Sequence, residues 1–280
     1  NEFGKPKFKL VVIRNRCFLA VAFSIGENKG NLRPNIDFSE THQRYITELI
    51  HLPGIRGNPE RTYQVTSLGY SPPGKFEYYI ASIINYWQMK KNFKKLNSLN
   101  EDLKTLGITK NVTAYPIGET RIELKVPRTK TSEKDDLVSL SDVGLGVSQS
   151  LPILVALNVA KPNQLVYIEQ PELHLHPRAQ VSMAKVLAKA AKRGVKVVVE
   201  THSSLLLLAI QTLIAENELS PDLVKLHWFS QDESGSTKVT SAELDENGAF
   251  GDWPEDFGDV ELEAQNEYLT ATENKFFGKE

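Results

Sequence analysis

The sequence has few of the features that mark secreted, membrane-bound or strongly nucleic-acid-binding proteins. Its 280 residues include a single cysteine, Cys17, so neither an internal disulfide nor a cysteine-rich metal site can form. The formal net charge is only -2, which gives the whole molecule no attraction to nucleic acid. The most apolar run, at 205–210, is far too short to cross a bilayer. We therefore expect a globular protein of the reducing cytoplasm with no membrane association.

Residue patterns divide the chain into four predicted regions. Residues 1–40 are rich in β-forming residues and tight turns, whereas residues 41–110 carry apolar residues at helical spacing and are interpreted as a helical arm or lid. Residues 111–242 begin with antiparallel strands and continue as apolar strands that alternate with amphipathic helices. Residues 243–280 form an acidic C-terminal segment. The fold class expected is α/β: a mainly parallel sheet flanked by helices, with added antiparallel strands and the helical arm.

Polar side chains follow two apolar strands of the third region, at the point where each strand ends. Glu169 and Gln170 come directly after LVYI, and VKVVV is followed by Glu200 and, two residues on, His202. Ligands of open parallel sheets bind at the carboxyl ends of the strands. A carboxylate there is a suitable ligand for a hard cation such as Mg²⁺, which keeps several of its waters. The sequence therefore predicts a polar site at this edge, with Glu169 as the metal-holding residue.

Three motifs in order carry a resemblance to a known family. The stretch LVYIEQPELHLHP resembles the Walker B strand of ABC-type ATPases, VVVETHSS resembles their switch strand, and LSDVGLGVSQS resembles their signature loop. The match is nearest to the branch that contains chromosome-maintenance, recombination and phage-defence ATPases. The tail LDENGAFGDWPEDF is similar to that of stand-alone bacterial AAA-like ATPases with a C-terminal domain of unknown function, including Septu-like and retron-associated defence ATPases.

The resemblance implies a role for each matching residue. Glu169 would hold Mg²⁺ through water, Gln170 occupies the place of the catalytic glutamate, and His202 would contact the γ-phosphate of ATP. Residues 1–40 and 111–242 would then form the ATPase lobe, and the signature loop would complete the nucleotide site of a second copy in a homodimer or higher oligomer. The residues expected in that loop are Ser141, Gly144, Gly146, Ser148 and Gln149.

Gln170 is the main departure from the family pattern. An amide cannot accept a proton, and a general base contributes roughly 100- to 10,000-fold to a rate. Gln170 could orient water, Glu200 or Glu172 could supply the carboxylate, or the site could bind ATP with little turnover. We favour Glu200, because it ends the neighbouring strand beside His202.

A phosphate-binding loop of the form G-x-x-x-x-G-K-[ST] is missing from the sequence. The nearest match, GYSPPGKF at Gly69–Phe76, has two prolines where backbone N–H donors are needed, and it has a phenylalanine where a hydroxyl should bind the metal. We interpret it as a turn before a helix. Because the chain starts with Asn1 and not with methionine, we expect the true loop upstream of residue 1.

Two other functions stay open at the sequence level. One is an ATP-binding scaffold subunit with little turnover, and the other is a metal-dependent hydrolase that uses His174, His176 and His202. Arg56 is interpreted as a structural loop arginine, with contact to a phosphate as the alternative. By resemblance, we expect an effector partner such as a nuclease or toxin and a role in bacterial anti-phage defence, with nucleic acid as a further candidate partner.

Overall fold

The fold is organised around a three-stranded parallel sheet in the order β10-β9-β4. The computed structural model describes residues 8–15, 18–25, 35–36, 48–66, 74–129, 136–251 and 259–277. The strands of the parallel sheet are β4 (Ile50–Leu52), β9 (Leu165–Glu169) and β10 (Lys196–Glu200). Glu169 pairs in register with Glu200, and Leu52 pairs with Ile168. The prediction of an α/β fold with a parallel sheet is confirmed.

The middle strand of this sheet, β9, has one buried face and one partly exposed face. The side chains of Val166 and Ile168 are fully buried, whereas Tyr167 and Glu169 lie on the opposite, partly exposed face. Side chains alternate between the two faces of a strand. Val166 and Ile168 therefore face the core, whereas Tyr167 and Glu169 face the side that carries the candidate site. Helix α3 (Leu145–Val159) contacts β9 and β4.

Within the described ranges, antiparallel strands form three further sheets. They are β1 (Phe8–Asn15), β2 (Phe18–Ile25) and β3 (Asn35–Ile36) in one sheet; β5 (Tyr63–Gln64), β6 (Thr113–Ile117), β7 (Arg121–Pro127) and β8 (Leu137–Ser139) in another; and β11 (Lys225–Gln231) with β12 (Thr237–Glu243) in the third. The stretch LVKLHWFSQDESGSTKVTSAEL predicts a hairpin around Ser234 and Gly235, and the pairing of β11 with β12 confirms it. Gly235 supplies the positive φ of 83° that the turn requires.

Helices cover the parallel sheet and join it to the rest of the core. Besides α3 they are α1 (Ile80–Met89), α2 (Phe93–Thr105), α4 (Pro177–Lys192), α5 (Ser204–Ala215) and α6 (Asp259–Phe277). The sequence predicts helical structure from Phe76 to near Gly107, but the chain breaks at 90–92. Lys91 has a φ of 51°, and the side chain of Asn92 caps α2 by accepting a hydrogen bond from the backbone N–H of Lys95.

One sequence interpretation places a segment in the wrong element. The stretch HQRYITELIHL is expected to be helical, yet its last three residues form β4, which pairs with β9. The buried, exposed, buried pattern of Ile50, His51 and Leu52 fits a strand, and three residues are too few to separate the two periodicities. The first part of the stretch lies outside the described residues.

The region predicted as a helical arm contributes directly to the main core. Leu99 and Leu103 of α2 are fully buried, and α2 packs against both α3 and α4. No helix in the described ranges combines the length and apolar character needed to span a membrane.

Candidate functional site

Two carboxylates lie next to each other at the carboxyl edge of the parallel sheet. Glu169 and Glu200 end β9 and β10 and are direct partners in the ladder, so their side chains lie on the same face. His202 follows β10 by two residues and is exposed. The structure thus brings Glu169 and Glu200 together, and His202 follows Glu200 by two residues. Their chemical roles remain predictions.

Glu169 is held by two groups from the segment around β4. Its Oε1 lies 2.8 Å from Nε2 of His51, and its Oε2 accepts a hydrogen bond of 2.9 Å from the backbone N–H of Gly54. The Gly54 hydrogen bond, with help from His51, lowers the pKa of Glu169 from its ordinary value. Glu169 therefore stays ionised, and its side chain is still 31% exposed. An ionised, accessible carboxylate at a strand end fits the ligand preference of Mg²⁺.

Tyr167 joins the two carboxylates through the exposed face of the sheet. Its hydroxyl donates a hydrogen bond of 2.8 Å to Oε2 of Glu200, and its ring stacks on His51 with centroids 5.0 Å apart. The Glu200 hydrogen bond raises the pKa of Tyr167 to about 12, so the phenol keeps its proton. Glu200 is exposed, and a carboxylate can accept more than one hydrogen bond.

Gln170 adopts an unusual backbone conformation immediately after Glu169. Its φ is 43°, in the left-handed region that few residues other than glycine occupy. Its N–H donates a hydrogen bond of 2.7 Å to the carbonyl of Glu200, and its carbonyl accepts one of 3.1 Å from Nη2 of Arg56. The side chain lies against Gly54, where an added Cβ would be 3.2 Å from Oε1 of Gln170.

Arg56 is buried and fastens the loop after β4 to the end of β9. Only 4% of the residue is exposed, and its Nη1 donates to the carbonyls of Pro53 and Glu169, at 3.1 Å in each case. Burial lowers the pKa of Arg56. The structural interpretation of Arg56 agrees with these contacts.

The Glu172 side chain holds the segment that carries His202 through a hydrogen bond. Its Oε1 accepts a hydrogen bond of 2.9 Å from the backbone N–H of His202, and its Oε2 is buried and has no hydrogen-bond partner among the described residues. Ser203, the next residue, caps α5: its hydroxyl oxygen accepts a hydrogen bond from the N–H of Leu206. Of the two acids considered as substitutes for Gln170, Glu200 is the accessible one.

The residues assigned to the signature loop lie mainly in the first turns of α3. Gly144 is the N-cap residue, so Gly146, Ser148 and Gln149 are helical and not part of an open loop. The Ser148 hydroxyl donates to the carbonyl of Leu145, and the buried Gln149 amide donates to the carbonyl of Arg56 at 3.1 Å. Ser141 precedes the helix and donates to the hydroxyl of Ser139.

His174 and His176 do not converge with His202 on a metal. The imidazole Nδ1 of His176 accepts a hydrogen bond from the N–H of Arg178 and so caps α4, while His174 has a φ of 63° in the turn before it. Across the described part of the chain, no group of three or more His, Cys, Asp or Glu side chains has a geometry that could hold a metal.

Sequence reasoning missed the contribution of His51 and Gly54. Both residues reach Glu169 only because β4 is a strand beside β9, and that pairing is not visible in a three-residue apolar stretch. The signal that could have found them is the glycine and proline-rich loop LPGIRGNPE directly after an apolar triplet, which is typical of a strand-end loop.

A protein-family match covers the central part of the chain. Residues 89–209 match the family described as AAA domain, putative AbiEii toxin, Type IV TA system. The matched segment runs from the end of α1 into α5, and it includes Glu169, Glu200 and His202. The class of protein that this segment matches is therefore an AAA-type ATPase domain.

Individual relatives match the chain over very different lengths. The Old nuclease of Escherichia phage P2 is 41% identical over 49 residues, which are 18% of this chain and 8% of the nuclease. The SMC head domain from Thermotoga maritima aligns with 86% of this chain and 76% of its own, at 11% identity and a TM-score of 0.41. The Smc head domain from Pyrococcus yayanosii aligns with 65% and 31%, at 12% identity and a TM-score of 0.43.

Proposed function

We propose that the protein is an ABC-type ATPase that binds ATP with Mg²⁺ at the carboxyl edge of its parallel sheet. The observation that carries the proposal is the in-register pairing of Glu169 and Glu200 at the ends of β9 and β10. The family match of residues 89–209, which contain both carboxylates, supports it. The polar groups at this edge are carboxylate acceptors and backbone donors, which are suited to a metal-bound phosphate and a water.

Glu169 is the residue that would hold the metal. Its lowered pKa keeps it charged, and the Gly54 hydrogen bond fixes the orientation of the carboxylate. Each carboxylate oxygen has lone pairs beyond those used by His51 and Gly54, so water molecules of a hydrated cation can still donate to it. Mg²⁺, when bound, would neutralise charge that develops on the phosphates during transfer.

Glu200 is the residue that would accept a proton from the attacking water. Glu172 is occupied by the backbone N–H of His202, whereas Glu200 is exposed and has one oxygen engaged by Tyr167. Gln170 lies between Glu169 and the loop after β4, where its amide could orient the same water. His202 would contact the terminal phosphate and so report whether ATP or ADP is bound.

The wider role that we propose is that of a sensor or regulatory ATPase in bacterial anti-phage defence. Two copies would close around ATP, with the start of α3 of one copy completing the site of the other. The change on hydrolysis would act on an effector, such as a nuclease or toxin, or on nucleic acid, in the cytoplasm. The short match to the phage P2 Old nuclease and the AbiEii-type family description support this setting.

Steady-state ATP hydrolysis by the protein tests the assignment of roles. We expect Glu169→Gln to abolish turnover and Glu200→Gln to lower kcat roughly 100-fold or more, because a general base is lost. Glu216→Gln, at an exposed position after α5, is the matched control and should leave kcat unchanged. Turnover that is unaffected by Glu200→Gln but abolished by Glu169→Gln would show that Glu200 is not the base.

The amide at Gln170 favours a second candidate, an ATP-binding scaffold with little turnover. In that case wild-type hydrolysis would equal that of Glu169→Gln, while ATP binding measured by calorimetry would persist. Gln170→Glu separates the two functions further. If the protein is a scaffold that lacks only a general base, this substitution should raise kcat about 100-fold. If Glu200 already acts as the general base, it should change kcat little.

A further inference from the structure

A basic turn joins α1 to α2. We use this name for residues 89–95, MKKNFKK, which include four lysines. Residues 89–94 are all exposed, and no aspartate or glutamate occurs between Glu77 and Glu101. Among the described residues, no carboxylate forms an ion pair with any of the four lysines. The positive charge of the basic turn is therefore available to a partner.

A lysine occupies a backbone position in the basic turn that favours glycine. Lys91 has a φ of 51° just after the end of α1, where its N–H donates a hydrogen bond of 3.0 Å to the carbonyl of Gln88. Helices α2, α4 and α5 end in the same way, but the matching residues there are Gly107, Gly194 and Asn217. Glycine and asparagine tolerate this left-handed backbone best. The local backbone therefore does not explain a lysine at position 91.

Lys94 lies where a positive charge is unfavourable. It is in the first turn of α2, at the positive end of the helix dipole, and this turn contains no acidic residue. Burial lowers the pKa of the neighbouring Lys95, and the positive charges of Arg193 and Lys94 lower it further. The Lys95 amine has a structural contact, because it donates to the carbonyl of Asn158. Lys91 and Lys94 instead oppose local preference at exposed positions, which is typical of functional surfaces.

Aromatic side chains protrude beside these lysines. Phe93 is 64% exposed and Tyr86 is 47% exposed, and Nζ of Lys90 lies 6.0 Å from the centroid of the Tyr86 ring. The two helices that carry the rings are anchored in the core by the buried side chains of Trp87 and Leu99. Exposed rings among lysines suit a ligand that has flat bases on a negatively charged backbone.

We propose that the basic turn binds single-stranded nucleic acid. Lys91 and Lys94 contact backbone phosphates, and an unpaired base stacks on Phe93. A duplex fits less well, because its bases are stacked on one another and present only their edges in the grooves. The net charge of -2 gives the molecule no long-range attraction, so the affinity comes from this surface. Single-stranded nucleic acid is the partner of this surface whether or not the carboxylate edge hydrolyses ATP.

Fluorescence anisotropy with labelled oligothymidylate, without ATP and Mg²⁺, tests the proposal. For a strand of about 15 nucleotides at about 50 mM salt, we expect a Kd below about 100 µM that rises with salt. Oligouridylate of the same length distinguishes RNA from DNA, and binding of either strand supports the proposal. Oligothymidylate annealed to oligoadenylate should bind more weakly. Absence of binding by both single strands, or tighter binding of the duplex, overturns the proposal.

Lysine variants separate a role in binding from a role in the fold. Lys91→Gly and Lys94→Gln should each raise the Kd at least about threefold, because a phosphate contact is lost. Lys91→Gly should do so while its urea midpoint stays at the wild-type value or rises, because glycine adopts the left-handed backbone without strain. A lower midpoint with unchanged binding would show that Lys91 serves the fold and would overturn its assignment.

The aromatic contact and the location are tested by two more variants. Phe93→Ala should raise the Kd of the single strand at least about fivefold and leave duplex binding unchanged, because only an unpaired base can stack on the ring. Lys238→Gln, at an exposed position of β12, is the matched control and should leave the Kd unchanged. An equal loss in Lys238→Gln and Lys94→Gln, or unchanged binding by Phe93→Ala, contradicts the assignment. These measurements need no ATP, so either result leaves the proposed ATPase function intact.

Discussion

The Glu169 carboxylate depends on partners that come from β4 and the loop after it. The Gly54 N–H and the His51 ring lower its pKa, and both contacts exist only in the folded chain. A carboxylate with a lowered folded-state pKa contributes stability above its unfolded pKa, and this contribution is lost as pH falls through the folded pKa. The charge on Glu169 thus serves stability as well as the proposed metal.

We predict that Glu169→Gln removes a pH-dependent part of the stability. At pH about 7 the variant should have a lower urea midpoint than the wild type, since Glu169 is ionised and hydrogen-bonded. The difference should shrink as pH drops below the ordinary value of 4.5 and vanish once the folded wild type is protonated. Urea unfolding at several pH values measures it. A difference that stays constant down to acidic pH would show that the charge of Glu169 is not involved.

At the scale of secondary-structure elements, a buried polar cluster joins α2, α3 and α4. Asp102 of α2 is 3% exposed; its Oδ2 accepts a hydrogen bond of 2.7 Å from Asn158 of α3, and its Oδ1 accepts one of 2.8 Å from Lys189 of α4. Each helix supplies one member, so the cluster fixes how the three helices pack. It attaches the predicted arm to the lobe that carries the site.

We predict that Asp102→Ala lowers the free energy of unfolding by about 3 kcal/mol, because Asn158 and Lys189 lose a buried partner. Lys189→Ala should cost less, since that side chain is 40% exposed and its charge is screened by water. Glu101→Ala is the control, because Glu101 is next to Asp102 and exposed. It should change the free energy of unfolding by less than about 0.5 kcal/mol. Chemical denaturation measures all three. Equal effects of Asp102→Ala and Glu101→Ala would contradict the role of the cluster.

The elements that the sequence predicts well are those with strong periodicity or long apolar runs. Strands β9 and β10 and helices α4 and α5 follow from their own residues, and the side-by-side placement of Glu169 and Glu200 follows from parallel strands. Strand β4 and the helix break at 90–92 do not follow in this way. Ile50–Leu52 is a strand because it pairs with β9, and the helix is interrupted where Lys91 adopts a left-handed conformation. For the same reason, residue patterns do not predict the contacts of His51, Gly54 and Arg56, which depend on β4.

At the scale of the whole molecule, the N-terminal end of α3 is an open surface. Gly144 has φ -60° and ψ 149°, which any residue can adopt, and a Cβ added there meets nothing within 4 Å among the described residues. Leu145 beside it is 42% exposed. In the proposed dimer this surface faces the nucleotide of the second copy, so bulk at Gly144 would obstruct assembly without affecting folding.

We predict that Gly144→Arg weakens ATP-dependent dimerisation at least about tenfold, because the side chain would occupy the space needed by the second copy. Gly144→Ala, which adds only a methyl group, is the matched control and should dimerise like the wild type. Analytical ultracentrifugation with ATP and Mg²⁺ measures the monomer–dimer equilibrium, and thermal unfolding checks that both variants keep wild-type stability. Wild-type dimerisation of Gly144→Arg would exclude this surface from the interface.

The backbone of Gln170 is fixed at both of its polar groups, by the carbonyl of Glu200 and by Arg56. The direction in which its side chain leaves the strand is therefore set by neighbours and not by its own chemistry. Codons for glutamine and glutamate differ by a single base. One nucleotide change could place a carboxylate there without remodelling the chain, so a slow ATP-binding clamp and a fast hydrolase would be adjacent in sequence space.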